Sequence, residues 1–263
     1  MPNIGSRILA DKQTLLSGNH VGEIRELLEQ RGVLVFPEID FNDDEQIAFT
    51  STLGTFAREM LGDDIYKITL DKSITETADY LRATVFWHFD GFSAAKPVKA
   101  SLLSCKVLSE TGGDTEFANC YAAYDALSDA DKAMIEELTV VHALASTQLD
   151  LEPQPSYETW RGWIDRGRKE LPLVWKHRSG RKSLLIGNSA HHVVGMGPLD
   201  SKDLLLRMQD WATRPEFTYR HQWTVGDLIM WDNTGSLHRV QPYPADSLRM
   251  LHRTKLEGEE SIT

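Results

Sequence analysis

Cysteine is scarce in this chain: Cys105 and Cys120 are the only two among 263 residues. That excludes a disulfide framework and predicts reduced, buried thiols and a cytoplasmic setting. Long apolar runs are missing as well. None approaches the ~18 residues of a membrane span, and the first residues lack the apolar stretch of a secretion signal, so no membrane partner is expected. No internal repeat, low-complexity segment or Pro/Gly/Ser-rich linker divides the sequence, which predicts one domain over residues 1–263. Basic residues are outnumbered, 28 Lys and Arg against 39 Asp and Glu, giving a net charge of −11. A surface of that sign repels phosphates and excludes nucleic acid as the main partner; solubility suffices to explain it, and a local basic pocket for small anions stays compatible with it.

What is present patterns as helices first and short strands later. Ile24, Leu27 and Leu28 recur at helical spacing over Val21–Gln30, with Gly32 as the stop, and Val33–Phe36 follows as a buried strand. Asn42 and Glu45 have the spacing of a capping box for a helix over Asp43–Leu53. Strands are expected at Ile65–Leu70, Val98–Leu108, Asp114–Phe117, Thr139–Ala145, Pro172–Arg178, Ser183–Ile186, Phe217–Trp223, Leu228–Trp231, Leu237–Val240 and Leu248–Leu256. Short helices capped by Asn119 and Ser128 and a longer one over Leu199–Thr213 separate them. Residues 56–81 and 146–171 are less regular and read as lid-like segments. The second is a loop-rich insertion whose Tyr157, Trp160 and Trp163 suit either an apolar ligand wall or a subunit contact. Many short strands joined by turns predict a mainly β fold with flanking helices, of jelly-roll type.

The stretch Trp87-His88-Phe89-Asp90-Gly91 continues an apolar run and reads as the end of a buried strand. Residues two apart on a strand share a face, so His88 and Asp90 would sit side by side, roughly 7 Å apart at the backbone, with Phe89 turned into packing. Such a pair can occupy two positions on one metal ion. A second histidine would complete the two-histidine, one-carboxylate face that suits non-haem iron. A strand-end histidine bonded to its neighbour is the simpler alternative. Downstream, His238 opens a late strand. Arg249 follows across the Pro242–Asp246 turn, on a strand expected to pair with it as an antiparallel neighbour. Arg249, Leu251 and Arg253 would share one face. Two buried guanidinium groups there need anionic partners, from Asp and Glu side chains or from small-molecule carboxylates.

Taken together, His88-Phe89-Asp90, Gly112-Gly113-Asp114-Thr115-Glu116-Phe117, Trp231-Asp232-Asn233 with His238, and Arg249 with Arg253 resemble the taurine dioxygenase family of ferrous-iron, 2-oxoglutarate-dependent oxygenases. The resemblance runs from about Val33 to Leu256, and the wording around 113–127, 180–187 and 217–238 is nearest the phenoxyacetate-herbicide dioxygenase branch. It implies a double-stranded β-helix, with His88, Asp90 and His238 as Fe(II) ligands. Arg249 would clamp the distal carboxylate of 2-oxoglutarate, Thr115 would bond the same co-substrate, and Trp231 would line its pocket. Arg253 would face the prime substrate and hold an anionic head group. The implied reaction consumes 2-oxoglutarate and O2, releases succinate and CO2, and hydroxylates a C–H bond of a small organic substrate, acidic by Arg253 and aromatic by the 157–163 side chains. An intact Asp90 favours hydroxylation over halogenation. Homo-oligomers, dimers or tetramers, are the family's habit.

The sequence departs from relatives at Phe89 and Gly91 and over Arg58–Leu81, so no substrate contact carries over from that region. Other readings of the residues are a cupin-like metal enzyme that does not use 2-oxoglutarate and a non-catalytic small-acid sensor. His142, His177, His221 and His252 are expected to satisfy local hydrogen bonds, and His191 and His192 to face opposite ways on a strand.

Overall fold

The computed structural model describes residues 3–59 and 62–263; positions 60 and 61, within the lid-like stretch 56–81, lie outside the described residues. In chain order the strands are β1 (Ser6–Arg7), β2 (Val33–Phe36), β3 (Phe56–Ala57), β4 (Tyr66–Ile68), β5 (Ala100–Val107), β6 (Thr115–Asn119), β7 (Thr139–Ala143) and β8 (Arg168–Pro172). They continue with β9 (Val174–Lys176), β10 (Lys182–Leu184), β11 (Ala190–Val193), β12 (Thr218–His221), β13 (Leu228–Asp232), β14 (Ser236–Val240) and β15 (Met250–Leu256).

Among the described residues, the larger sheet runs β1-β2-β13-β5-β15-β3, with β4 also on β15; a second runs β12-β6-β14. Alternation along the strands explains how they stack. Val33, Val35, Ile229, Trp231, Leu103, Cys105 and Leu251 point from the larger sheet into one apolar cluster with Phe117 of the second sheet. The intervening Leu34, Phe36, Leu228, Met230 and Leu102 point the other way and pack against the helices Val21–Arg31 and Asp43–Leu53. Burial on both faces is why these strands read as continuous apolar runs. The far side of the second sheet is closed by the helix Pro198–Ala212, through Leu204, Leu205 and Met208, in a cluster with Ala118 and Leu237. Two facing sheets, antiparallel except for the β1–β2 pair, with helices outside form a double-stranded β-helix. The expected capping box is present, Asn42 with Glu45, and Gly32 ends its helix with φ +70°.

Three local expectations need correction. The stretch before the His-x-Asp pair is not a strand. Arg82–Val85 is a 3-10 turn, and His88 makes one isolated antiparallel bridge, to His238. Ladder pairing is replaced by other partners: Phe86 O bonds the His88 ring, Trp87 O accepts from the Asn188 N–H, and both backbone groups of Asp90 go to Asn233. Next, β14 and β15 are not neighbours. β14 pairs with β6 and β15 with β5, β3 and β4, so the connection between them crosses from one sheet to the other, and a register shift at Met250/Leu251 sets Arg249 apart from Arg253. Finally, the 146–171 segment is more ordered than a loop. It holds most of the helix Leu144–Leu149, the helix Tyr157–Ile164 capped by Ser156, and β8.

Candidate active site

His88 and His238 face each other across their bridge, with mutual backbone bonds of 3.1 and 2.8 Å and ring centroids 4.1 Å apart. Asp90 follows in the turn at Gly91, which adopts φ +83°. One ligand atom from each of His88, Asp90 and His238 lies within 4.8 Å of the others. The three residues that the sequence singles out thus lie together, brought there by a bridge and a turn and not by a strand.

Their protonation suits a divalent metal. The Nδ1 of His88 donates to Phe86 O at 2.8 Å, which leaves Nε2 as the free donor. Burial, aided by the adjacent His88, draws the pKa of His238 down to about 3, so its imidazole is neutral. Burial alone would raise Asp90, but Arg253, with smaller help from His238 and His88, outweighs it and holds the carboxyl at about 2. The neutral His238 imidazole, the free Nε2 of His88 and the Asp90 carboxylate together make a donor set that suits a ferrous ion with open positions.

Asn233, to which the sequence reading gave no role, fixes the turn. Its Oδ1 accepts the Asp90 N–H at 2.8 Å, and its Nδ2 donates to Asp90 O and Val98 O at 2.9 Å each. Asn233 is itself held because Asp232 ties back the next residue, accepting from Thr234 N at 3.0 Å and Thr234 Oγ1 at 2.6 Å. Gly187 presses on the same segment from the other side. With φ +123°, a Cβ there would stand 3.0 Å from Trp87 O and 3.3 Å from the His88 Cα.

The two arginines are answered differently. Arg249 is buried, and among the described residues no carboxylate lies within ion-pair distance of it. Its Nη2 donates to Gly113 O at 2.7 Å, and its guanidinium lies 4.6 Å from the Tyr243 ring centre. Burial draws its pKa below the usual guanidinium value. Gly113, at φ +80°, permits the approach, since a Cβ there would meet Arg249 Nε at 2.6 Å. Arg253 is instead ion-paired on two sides. Its Nε and Nη2 fork onto Glu59 at 3.1 and 2.9 Å, Nη1 reaches Asp90 Oδ2 at 3.2 Å, and the Tyr66 ring lies 4.9 Å away. Lys255 adds a 2.7 Å bond to Glu59.

Thr115 is buried on β6, and its hydroxyl accepts from Trp223 Nε1 at 3.0 Å, leaving its own proton to donate. The Trp231 ring lies 4.9 Å from that of His238. Trp231 Nε1 and Ser101 Oγ, on paired positions of β13 and β5, are buried without a partner among the described residues. Ser101 and Glu59 were not singled out in the sequence, because neither belongs to a motif.

The remaining histidines take local partners: His142 bonds Ser189, His177 bonds Glu260 and Ser183, His221 bonds Asp227, and His252 bonds Asp43. His191 and His192 do not diverge; a bulge in β11 brings their Nδ1 atoms to 2.7 Å.

Comparison with known proteins gives a consistent picture. Residues 2–255 match the family model described as taurine catabolism dioxygenase TauD, TfdA family. The (S)-phenoxypropionate/alpha-ketoglutarate-dioxygenase of Sphingobium herbicidovorans is 34% identical over 239 residues, 86% of this chain and 82% of the relative. The alpha-ketoglutarate-dependent 2,4-dichlorophenoxyacetate dioxygenase of Cupriavidus pinatubonensis is 33% identical over 263 residues, 92% of this chain and 90% of the relative. The crystal structure of AAD-2 in complex with Mn(II) and N-oxalylglycine superposes with a TM-score of 0.84 at 31% identity, covering 99% of this chain and 96% of the other.

Proposed function

The chain belongs to the taurine catabolism dioxygenase TauD, TfdA family and is an Fe(II)- and 2-oxoglutarate-dependent dioxygenase acting on a small organic molecule; we propose that His88, Asp90 and His238 hold its iron and that the substrate is an aryloxy or related acid. The observation that carries this is the convergence of two imidazoles and an ionised carboxylate within 4.8 Å. Iron with 2-oxoglutarate and O2 supplies an oxidant that removes hydrogen from a C–H bond and returns hydroxyl, with release of succinate and CO2.

The chain's own residues orient this chemistry. His88 presents Nε2 because Phe86 O takes the other ring proton. Arg253 keeps Asp90 ionised and fixes its outer oxygen. Arg249, buried and free of carboxylates, is the seat for the distal carboxylate of 2-oxoglutarate, with its planar fork suited to a bidentate grip. Thr115 donates to the same co-substrate. Trp231 and Ser101 offer it two buried groups that otherwise stay unpaired, at a cost of about 1–3 kcal/mol each.

Arg253 also meets the prime substrate's anionic group. Residues 56–59, 62–81 and 146–171 close over it. In support, Tyr66 and Glu59 contact Arg253, and the charges of Asp90, Arg253 and Arg166 all act on Tyr80. Trp160 and Trp163, half-buried with ring centres 6.5 Å apart, supply an aromatic wall. The chain works as one domain and a homo-oligomer. A cytoplasmic setting fits two free buried thiols and, among the described residues, no helix long and apolar enough to cross a membrane.

The test is succinate release across a panel of aryloxyacetates, aryloxypropionates and alkyl sulfonates. Turnover with aryloxy acids that requires iron, O2 and substrate together is the expected outcome. Turnover confined to sulfonates contradicts the substrate class, and activity that persists with zinc and without O2 contradicts the assignment of the three ligands to iron.

A further inference from the structure

The Arg253 guanidinium already carries a carboxylate of its own. Glu59 is buried, forks onto Nε and Nη2 at 3.1 and 2.9 Å, and is held there by Lys255 at 2.7 Å. Asp90 takes Nη1 at 3.2 Å. Two cations thus face two anions, and the cluster is balanced before any substrate enters. We propose that Glu59 is a specificity-determining residue: a built-in carboxylate that competes with the substrate's anionic group for Arg253 and so weakens binding of acids relative to their neutral isosteres.

This rests on the reading of Arg253 as the anchor for the substrate's head group. An entering carboxylate must either displace Glu59 from the fork or share one guanidinium with it. In the first case the Glu59–Arg253 bonds are lost. In the second, two like charges stand on one cation in a buried site, where repulsion is screened least. Sharing the cation with Glu59 penalises an anion and not an uncharged group of the same shape, so the acid loses more than its amide. The neighbours leave Glu59 little alternative, because its backbone is pinned by a 2.9 Å bond from its N–H to Asp63 O. Tyr66, which lies against the other side of the guanidinium, brings no charge.

Binding of 2,4-dichlorophenoxyacetate and of its primary amide to the full chain loaded with Mn(II) and N-oxalylglycine, measured by calorimetry, tests this without turnover. Glu59→Gln removes the charge and keeps the size. The acid is expected to bind about ten-fold tighter in that variant, with the amide unchanged within about two-fold. Glu59→Asp, which keeps the charge, is expected to keep the wild-type ratio of acid to amide affinity. In steady state the gain appears in KM for the acid and not in kcat. Acid binding that is unchanged, weaker or lost in Glu59→Gln overturns the proposal and makes Glu59 a buttress of Arg253. The reading of the site fails separately, and the proposal with it, if the wild-type protein takes up no N-oxalylglycine.

Discussion

The Asn233 side chain secures the turn at Asp90 through three hydrogen bonds, and none of that side chain's partners is nearer than 135 residues in sequence. Asn233→Ala leaves one part-buried N–H and two part-buried carbonyls without the side-chain partner. The loss is expected to lower metal affinity about 10-fold or more and to cost about 1–3 kcal/mol of stability, read by metal titration and by urea unfolding. His142 gives a pH-dependent counterpart. It is fully buried, and burial draws its pKa down to about 4. The unfolded chain, with its ordinary histidine, binds a proton first as the pH falls. Stability attributable to this residue is therefore intact above about pH 6.5 and is lost as the pH drops toward 4, on the order of 3 kcal/mol in all. His142→Gln should flatten the urea-unfolding profile in that window, and the difference from wild type isolates His142 from the other buried histidines. The residues that stand out in the sequence are those whose type suits such chemistry, and the structure brings His88, Asp90 and His238 together and buries Arg249. Asn233 and Glu59 do not stand out, because an asparagine or glutamate acquires its role only from the partner it meets, 143 residues away for Asp90 and 194 for Arg253.

At the scale of elements, strand positions were legible wherever both faces are buried, because Val33–Phe36 and Leu228–Asp232 are continuous apolar runs. Helix boundaries were legible where a cap is local, as at Asn42 and Ser128. The apolar run before His88 misled because its hydrophobicity serves packing: Trp87 and Phe89 are both buried in the cluster with Ala118 and Leu237, while the backbone finds its partners outside any ladder. The placement of β14 and β15 on different sheets was not legible either, since a connection between sheets and one within a sheet can have the same length. The turn between β5 and β6 shows an element shaped for a ligand. Gly113→Ala forces a Cβ into the left-handed region and against Arg249. The expected result is a rise in KM for 2-oxoglutarate of about ten-fold or more, with helical and sheet circular dichroism preserved and about 1–3 kcal/mol of stability lost. An unchanged KM would show that Arg249 does not seat the co-substrate.

Over the whole molecule, the cluster between the two sheets holds Trp231 and Phe117 against His238, with ring centres 4.9 and 6.5 Å from the imidazole, so the core and the site share side chains. His88 and His238 sit on neighbouring segments joined by their bridge, and Asp90 in the turn that Asn233 anchors beyond β13. A metal held by the three would tie these segments together and should raise the unfolding temperature with the logarithm of metal concentration over Kd. The most direct test is an anaerobic titration of the Fe(II) protein with 2-oxoglutarate, followed by the visible charge-transfer band of the chelate. Wild-type protein should develop the band with one iron per chain, Arg249→Gln should require far more 2-oxoglutarate to reach it, and His238→Ala should not form it. A band of full intensity in His238→Ala at the same iron and 2-oxoglutarate concentrations would contradict the assignment.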